Sequence, residues 1–330
     1  MQGRKVLIVT HNNPDSDAIA SGWALSFLLK EKFKINAVLA YGGLITRAEN
    51  RAMTRLLNIN IKPLETINVD NFSVVALVDT EPGAGNNSLP LSITPAIVID
   101  HHKLSKSTQG VDFVDVRPNW GSSATILTKY LTQAGVSIGK KMATALYYGI
   151  KTDTQNLGRD AAEPDYKAVI MLYPKVQLRR LSRIEFPELS RNYFLDFDKA
   201  LHKARTYGDL IVCGLGSGIN PDMAAFISDL LMRISGVRWS LAMGIDDARL
   251  IFSLRTRRLN QNAGLLAQEL VKGSGSAGGH GMTAGGQIFT RKFSKVEKKR
   301  MSEALRKQFV KTVSQTNIRG KQLVPQKRVY

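Results

Sequence analysis

Three apolar runs, at residues 6–9, 74–78 and 96–99, are each followed within two positions by an acidic or imidazole side chain. Apolar runs of this length suit strands that are buried on both faces of a sheet. In an open α/β sheet, the carboxyl ends of neighbouring parallel strands line one crevice. The pattern therefore predicts that His11, Asp79 and His101, far apart in the sequence, converge at one edge of a parallel sheet.

The alternation of strand-like and helix-like segments predicts a doubly wound, mostly parallel α/β domain followed by a smaller α/β domain. In the first half, strands are predicted at 5–10, 35–40, 74–79, 96–100 and 112–116, and helices at 17–32, 46–57, 122–134 and 140–151. In the second half, strands are predicted at 209–215, 237–246 and 249–256, helices at 221–233, 262–272 and 294–314, and an anion-binding glycine loop at 273–286. The predicted domains are 1–187 and 206–330, joined by a helical linker at 188–205.

A set of imidazole and carboxylate side chains follows the predicted strands: His11, Asp15, Asp17, Asp79, His101 and Asp153. A single Asp at a strand end often serves only as a turn or cap residue. Six such residues in this arrangement favour a metal centre instead. Because the set lacks thiolate, it disfavours structural zinc and favours a pair of Mn²⁺ ions, with Mg²⁺ or Co²⁺ as substitutes.

Several polar residues have a local structural role in this interpretation. Ser16 is the expected N-cap of the helix that begins near Asp17. The residues 121–123 precede another helix and suit either a phosphate contact or a simple cap. Four further residues have no predicted function and are expected at turns or on the surface: Asp165, Asp246, Asp247 and His202.

The motifs in this order resemble those of the DHH phosphoesterase family. The resemblance rests on the His-x-x-x-Asp-x-Asp loop at 11–17, on the triplet 100–102 and on Thr152-Asp153-Thr154. In the second half, residues 276–285 resemble the glycine-histidine motif of the DHH-associated C-terminal domain, and residues 254–256 resemble the Arg-bearing strand before it. The resemblance spans roughly residues 5–290. Members of the family include RecJ-like nucleases, nano-RNases and nucleotide phosphatases.

The resemblance implies a role for each matching residue. His11, Asp15 and Asp79 would hold one metal ion, and Asp17, Asp79, His101 and Asp153 the other, with Asp79 as the bridge and a hydroxide between the ions as nucleophile. His102 would face the substrate phosphate as a catalytic group, and Asp100 would orient a histidine. The implied substrate-binding residues of the second domain are Arg255, Gly278, Gly279 and His280, with the active site in the interdomain cleft.

Two departures from the family pattern concern the substrate rather than the chemistry. The family often has Gly after Thr-Asp-Thr, where this chain has Gln155. The C-terminal motif begins Ser276-Ala277-Gly278-Gly279 instead of four glycines. The metal-binding positions are unaffected by either change, so phosphoester chemistry is still expected.

The expected function is Mn-dependent phosphodiester hydrolysis that converts short oligoribonucleotides to nucleoside monophosphates. Adenosine 3′,5′-bisphosphate phosphatase and cyclic or linear dinucleotide phosphodiesterase activities are the alternatives within the family. Inorganic pyrophosphatase is a further enzymatic alternative, which the motifs around Arg255 and His280 disfavour. An alternative of another class is a basic nucleic-acid-binding protein with a vestigial catalytic site, which the complete set of metal-binding side chains disfavours.

The net charge of +19 favours anionic partners. Residues 291–330 hold 13 Lys or Arg against Glu297 and Glu303, and the extended basic tail predicted at 315–330 suits non-specific nucleic-acid binding. The single Cys213 indicates a reducing compartment, so a cytoplasmic protein without membrane contact is expected. The sequence leaves open whether the chain forms a homodimer.

Overall fold

The computed structural model describes residues 5–45, 47–103, 108–219, 221–246, 248–258, 260–280, 282–314 and 319–325, with only the backbone of 221, 222 and 280. The chain divides into two compact units, an N-terminal unit, Met1–Glu188, and a C-terminal unit, Leu189–Tyr330. The predicted basic tail at 315–330 lies outside the described residues except for 319–325.

A parallel sheet forms the centre of the N-terminal unit. Its strands are β1 Val6–Thr10, β2 Ala37–Tyr41, β3 Ile61–Pro63, β4 Val74–Val78, β5 Ile97–Asp100 and β6 Phe113–Val116. Their order is β3-β2-β1-β4-β5-β6, and every neighbouring pair is parallel. The direction of winding reverses between β1 and β4. In such sheets, the crevice beyond the strand ends at this reversal is the usual ligand site.

Helices and loops cover both faces of this sheet. The helices are α1 Ser16–Phe33, α2 Ala48–Leu57, α3 Ser123–Gln133, α4 Lys140–Asp153, α5 Glu163–Leu172 and α6 Leu178–Glu185. Along β1, Val6 and Ile8 pack into the core with α1, α3 and α4, whereas Leu7 and Val9 pack into the core on the opposite face. Covering both faces explains why all residues of β1 are buried and why its sequence is uniformly apolar.

The C-terminal unit is built on a mixed sheet. Its elements are α7 Arg191–Lys203, β7 Arg205–Tyr207, β8 Leu210–Ser217, α8 Pro221–Leu231, β9 Trp239–Ile245, β10 Arg249–Thr256, α9 Ala263–Leu270, β11 Gly275–His280, β12 Thr283–Phe289, α10 Lys295–Ser314 and β13 Lys321–Gln322. The strand order is β11-β12-β10-β9-β8-β7-β13. The pair β8–β9 is parallel and the other neighbours are antiparallel.

The predicted α/β class is confirmed in both halves of the chain. The glycine loop predicted at 273–286 is wrong, because this stretch forms most of the β11–β12 hairpin, and β12 pairs along its whole length with β10. The strand β3 and the helix α5 were not predicted. None of the helices in the described part of the chain is long and apolar enough to cross a membrane.

Candidate metal centre

The loop after β1 brings His11 next to the first turn of α1. Asp15, not the predicted Ser16, is the N-cap of this helix, because its backbone is extended and its Oδ1 accepts hydrogen bonds from the Asp17 and Ala18 N–H groups, each at 3.0 Å. Ser16 Oγ instead lies 2.6 Å from Thr152 Oγ1. The cap fixes the Asp15 carboxylate, whose Oδ1 lies 3.8 Å from His11 Nε2.

Asp79 lies at the centre of the arrangement, directly after β4. Its side chain is buried, and its backbone adopts a left-handed conformation with φ 61°. Oδ2 of Asp79 lies 3.5 Å from His11 Nε2, and Oδ1 lies 3.6 Å from His101 Nε2. The two carboxylate oxygens therefore face one imidazole each, on opposite sides of the same residue.

Both imidazoles are oriented in the same way. Nδ1 of His11 donates to the Asn12 carbonyl at 2.9 Å, and Nδ1 of His101 donates to the Trp120 carbonyl at 3.2 Å. Because a carbonyl can only accept, Nδ1 carries a proton in each ring, so Nε2 is the nitrogen that remains to bind a metal ion. His101 Nε2 is buried, and it lies 3.0 Å from Asp153 Oδ2 without the geometry of a hydrogen bond.

The first turn of α3 holds the remaining acids in position. The backbone N–H groups of Ser123 and Ala124 each donate to the buried Asp17 carboxylate at 2.8 Å. The Ser123 hydroxyl donates to Asp79 Oδ1 at 2.9 Å. Ser122 caps the helix through its side chain. Of the two roles left open for 121–123, the structure shows the simple cap, and the N–H groups of Ser123 and Ala124 bind Asp17 rather than an external anion.

His102 and Asp100 form a second pair beside this arrangement. His102 Nδ1 lies 2.7 Å from Asp100 Oδ1, and the same oxygen accepts from the His102 backbone N–H at 3.0 Å. Asp100 is buried, whereas the His102 side chain is 30% exposed. Burial lowers the pKa of His102, but the hydrogen bond to Asp100 raises it, and the net pKa lies above the ordinary value. Asp100 thus orients His102 and favours its protonated form.

Asp165 is a structural residue that the sequence interpretation missed. The expected turn or surface position is wrong, because Asp165 is fully buried and accepts hydrogen bonds from Gly121 N–H at 2.8 Å, Ala162 N–H at 2.8 Å and Thr125 Oγ1 at 2.5 Å. Asp165 is the third residue of α5 and directly follows Pro164. An acid at this position of a first helical turn is a sequence signal for capping. No sequence signal points to its bond across 44 residues to Gly121.

The electrostatics of the arrangement reflect crowding of carboxylates around imidazoles. Burial lowers the pKa of His11, but Asp15 and Asp79 outweigh it and leave the pKa well above its ordinary value. Burial raises the pKa of Asp79, but the hydrogen bond with His11 and the charges of His102 and His101 outweigh burial and leave this pKa below its ordinary value. Burial and the charges of Asp79 and Asp153 raise the pKa of Asp17 well above normal. These acids repel one another, which a cation among them would relieve.

The donor set fits divalent metal ions. Three overlapping groups bring their ligand atoms within 4.8 Å of one another: His11, Asp15 and Asp79; Asp79, His101 and His102; and Asp17, His101 and Asp153. Two donors that each lie about 2.1 Å from one ion at a tetrahedral or octahedral angle are ~3–3.5 Å apart. The separations around Asp79 are close to this range. We call the six residues His11, Asp15, Asp17, Asp79, His101 and Asp153 the histidine–aspartate cluster.

The predicted substrate-binding residues of the C-terminal unit lie on β10 and β11. Arg255 is buried in the middle of the sheet, where its Nε donates to Asp229 Oδ1 at 2.5 Å and its Nη1 to Ser253 Oγ at 2.7 Å. Gly279 has φ 144°, and an added Cβ would lie 2.4 Å from the Thr283 carbonyl oxygen. Gly278 faces open space. The His280 backbone ends β11, and its side chain lies outside the described residues.

Two family models match the chain. Residues 5–150 match the N-terminal domain of the DHH family, and residues 208–312 match the DHHA1 domain. The chain therefore carries a DHH-family N-terminal domain and a DHHA1 domain. The matched segments include all of the histidine–aspartate cluster except Asp153, together with Arg255 and the β11–β12 hairpin of the C-terminal unit.

Relatives cover this chain to different extents. An uncharacterised protein of Methanocaldococcus jannaschii is 35% identical over 92% of this chain and 61% of its own length. A probable manganese-dependent inorganic pyrophosphatase of Streptococcus agalactiae is 27% identical over 46% of this chain and 48% of its own. The cyclic-di-AMP phosphodiesterase PdeA of Listeria monocytogenes is 23% identical over 91% of this chain and 47% of its own. The chain thus spans about half to three-fifths of these relatives.

A solved structure shares the fold. The crystal structure of an exopolyphosphatase-related protein from Bacteroides fragilis superposes with a TM-score of 0.70 over 95% of this chain and 94% of that one, at 17% identity. At this identity the similarity establishes the architecture alone.

Proposed function

We propose that the chain is a metal-dependent phosphodiesterase that hydrolyses short oligoribonucleotides to nucleoside monophosphates. The observation that carries the proposal is the position of Asp79, with one carboxylate oxygen facing His11 and the other facing His101. This geometry suits a carboxylate shared by two ions, the arrangement that in-line displacement at phosphorus uses.

The side chains divide the work as follows. His11 and Asp15 would hold one ion and His101, Asp17 and Asp153 the other, with Asp79 shared between them. Mn²⁺ ions held there would supply the Lewis acidity that activates a water molecule and neutralises charge on the phosphoryl oxygens. Manganese is the metal named for the pyrophosphatase relative, and the mixture of imidazole and carboxylate donors suits it.

His102 is the proposed proton donor to the leaving oxygen. Asp100 holds its Nδ1 and favours the protonated ring, so His102 can donate a proton to an alkoxide as it departs. In the C-terminal unit, we assign contact with a substrate phosphate or base to Arg255, Gly278, Gly279 and His280. The bond from Arg255 Nε to Asp229 sets the orientation of the guanidinium plane.

The lengths of the segments that match the relatives favour a nucleotide diester over pyrophosphate as the substrate. The similarity to the pyrophosphatase covers 152 residues, whereas the similarity to PdeA covers 317 residues and so includes both units. The same observation supports a second candidate substrate, a cyclic dinucleotide, because PdeA is named for cyclic di-AMP.

The test is hydrolysis in the presence of Mn²⁺ of a matched panel: 5′-phosphorylated RNAs of two, three and ten nucleotides, cyclic di-AMP, adenosine 3′,5′-bisphosphate and pyrophosphate. Asp79→Asn should lower turnover by about a thousandfold, because the shared carboxylate is lost. Asp70→Asn, at an exposed position of the same unit, should leave turnover unchanged.

The outcomes separate the candidates. Fast turnover confined to the RNAs of two and three nucleotides supports the proposal, and preference for cyclic di-AMP selects the second candidate. No turnover on any substrate, together with tight binding of the ten-nucleotide RNA that survives Asp79→Asn, would overturn the enzymatic assignment in favour of a nucleic-acid-binding protein.

A further inference from the structure

A cavity of about 900 Å³ lies in the C-terminal unit, lined by residues of α7, β7, β8, α10 and the segment 319–322. All of its lining residues fall between 198 and 322, so it is formed within this unit. Its volume is in the range of ~300–1,000 Å³ that small-molecule sites occupy. The cavity is thus large enough for a ligand rather than for a few water molecules.

The lining of the cavity is strongly cationic. Its charged members are Lys199, Lys203, Arg205, Arg306 and Arg319 against Asp198 and Glu303. Two of the cations are already paired: Arg306 binds Glu303, and Lys199 Nζ lies 3.2 Å from Asp196 Oδ1. The other three therefore give the cavity its excess of positive charge.

Among the residues that the structure describes, those three cations have no acidic partner. Arg205 and Arg319 make no ion pair or side-chain hydrogen bond with the residues that the structure describes. Lys203 Nζ donates to the Leu215 carbonyl at 3.0 Å, a neutral acceptor that leaves its charge unbalanced. Three cations around one cavity repel one another, and a bound polyanion would convert this repulsion into attraction.

The floor of the cavity is an open strand edge. β7 pairs with β8 from Leu210 to Val212, so the later residues of β8 have no β7 neighbour. At Gly214, an added Cβ would meet nothing within 4 Å, so the missing side chain enlarges the cavity. A ligand can therefore approach the backbone of β8 closely.

One wall is built around an aromatic ring. Arg306 donates a hydrogen bond to the hydroxyl of the buried Tyr207 and places its guanidinium 5.8 Å from the centre of that ring. Gly320 packs so closely against Tyr207 that an added Cβ would lie 2.5 Å from the ring. These contacts fix the Arg306 guanidinium plane, a flat surface on which a planar base can stack.

We propose that this cavity binds a nucleoside phosphate. Its phosphate groups are held by Arg205, Arg319 and Lys203, whose guanidinium and ammonium groups suit phosphate oxygens. Its nucleoside part lies over the Gly214 floor and against Arg306. The proposal does not rest on the phosphodiesterase assignment, because every group that it uses lies outside the histidine–aspartate cluster.

The test is calorimetric titration of ADP into the full chain carrying Asp79→Asn, with EDTA present to prevent turnover. The double variant Arg205→Glu/Arg319→Glu should weaken ADP binding by about tenfold or more, since two charge-assisted contacts become repulsive. The control Arg291→Glu/Lys292→Glu changes the net charge equally at exposed positions of the same unit, and it should leave the affinity within about twofold. Thermal unfolding of both variants verifies that they fold.

Three results would overturn the proposal. ADP affinity that falls equally in both double variants would show long-range attraction alone. ADP affinity that survives Arg205→Glu/Arg319→Glu would show that the nucleotide binds elsewhere. ADP that binds no more tightly than inorganic phosphate, titrated in parallel, would show an anion site without a place for the nucleoside. Failure of this test leaves the hydrolysis panel unaffected, so the two assignments stand or fall separately.

Discussion

Cys213, the only cysteine of the chain, illustrates how burial controls reactivity at the scale of one residue. Its side chain is fully buried, its Sγ donates to the Ala200 carbonyl, and burial raises its pKa to about 12. The thiolate is the reactive form, and at pH 8 only ~10⁻⁴ of the molecules carry Cys213 as a thiolate. We expect no reaction with a disulfide reagent such as dithionitrobenzoate in the folded protein and one equivalent in guanidinium. Rapid stoichiometric labelling of the folded protein would contradict the burial.

Gln155 occupies the position where the family pattern often has Gly, and its backbone shows why Gly suits it. Gln155, Asn156 and Leu157 have φ values of 48°, 61° and 63°, a left-handed turn that begins two residues after Asp153. A left-handed conformation costs an L-residue roughly 1–2 kcal/mol that Gly does not incur. Gln155→Gly should therefore maintain or raise the free energy of unfolding in urea.

A helical glycine provides the comparison for that measurement. Glu31→Gly, at an exposed position of α1, should lower the free energy of unfolding by about 0.5–1 kcal/mol. If Gln155→Gly lowered stability as much as Glu31→Gly, the left-handed turn would be absent in solution.

The cluster residues could be anticipated from the sequence because their type and their position after apolar runs both carried information. His101 and Asp79 are examples. Each follows a strand whose apolar sequence can be recognised before the neighbouring strands of the sheet are known. Asp165 could not be anticipated, because its importance comes from a bond to Gly121 that only the packing of α5 against α3 creates. Arg255 was similarly ambiguous, since pairing of β10 with both β9 and β12 decides that it is buried.

At the scale of elements, the segment 120–124 connects the fold to the cluster. Its Trp120 carbonyl orients His101, and its Ser123 contacts both Asp17 and Asp79. Asp165 anchors this segment through Gly121. Three potential metal ligands therefore depend on one short stretch of backbone, which itself depends on a buried carboxylate.

This dependence predicts the effects of changing Asp165. Asp165→Ala removes the acceptor of three hydrogen bonds, at a cost of about 1–3 kcal/mol for each buried donor left unsatisfied, and should lower the free energy of unfolding by ~3 kcal/mol or more. Asp165→Asn keeps an acceptor for the backbone N–H groups and should cost about 1–2 kcal/mol. In Asp165→Asn, Mn²⁺ affinity measured by calorimetry should fall about 10–100-fold, as for other groups that orient ligands.

A purely structural role for Asp165 would give a different pattern. The matched change Asp246→Asn removes a carboxylate that accepts from the Ala248 and Arg249 N–H groups in the other unit. It should lower stability without changing Mn²⁺ affinity. If Asp165→Asn also left Mn²⁺ affinity unchanged, the segment 120–124 would not position the ligands.

Elements with a strong apolar pattern were predictable, and elements defined by pairing were not. β1, β4 and β5 are buried on both faces, so their sequences alone suggested strands. The hairpin β11–β12 was predicted as a loop because glycine is depleted from strands. Pairing with β10 overrides that preference, and Gly279 is required at its position by close contact with Thr283 and Ala284.

At the scale of the whole molecule, the excess of positive charge is concentrated at the C-terminal end. α10 buries Leu305 and Phe309 and exposes Arg300, Lys307 and Lys311. Because these three are spaced by seven and four positions, they lie on one stripe of the helix, opposite the buried face. A row of cations suits the phosphates of an extended nucleic acid, and we predict that a ten-nucleotide RNA contacts this stripe.

The triple variant Arg300→Gln, Lys307→Gln and Lys311→Gln should weaken binding of a ten-nucleotide RNA at low salt. The slope of log affinity against log salt should decrease by up to about 2, since each lost phosphate contact on a single strand contributes ~0.7. Hydrolysis of a dinucleotide should be unchanged, because a dinucleotide has too few phosphates to occupy a row of cations. Fluorescence anisotropy over a range of salt concentrations measures the first effect, and the Mn²⁺ assay measures the second.

The control for this experiment removes the same charge from the other unit. Lys30→Gln, Lys62→Gln and Lys140→Gln alter three exposed lysines that are scattered over the N-terminal unit. If affinity depends only on net charge, both triple variants will lose RNA binding equally, because long-range attraction does not distinguish where a charge is located. A larger loss in the α10 variant, with a smaller salt slope, instead requires direct contacts along the helix. Equal loss in both would reject α10 as the RNA-binding surface.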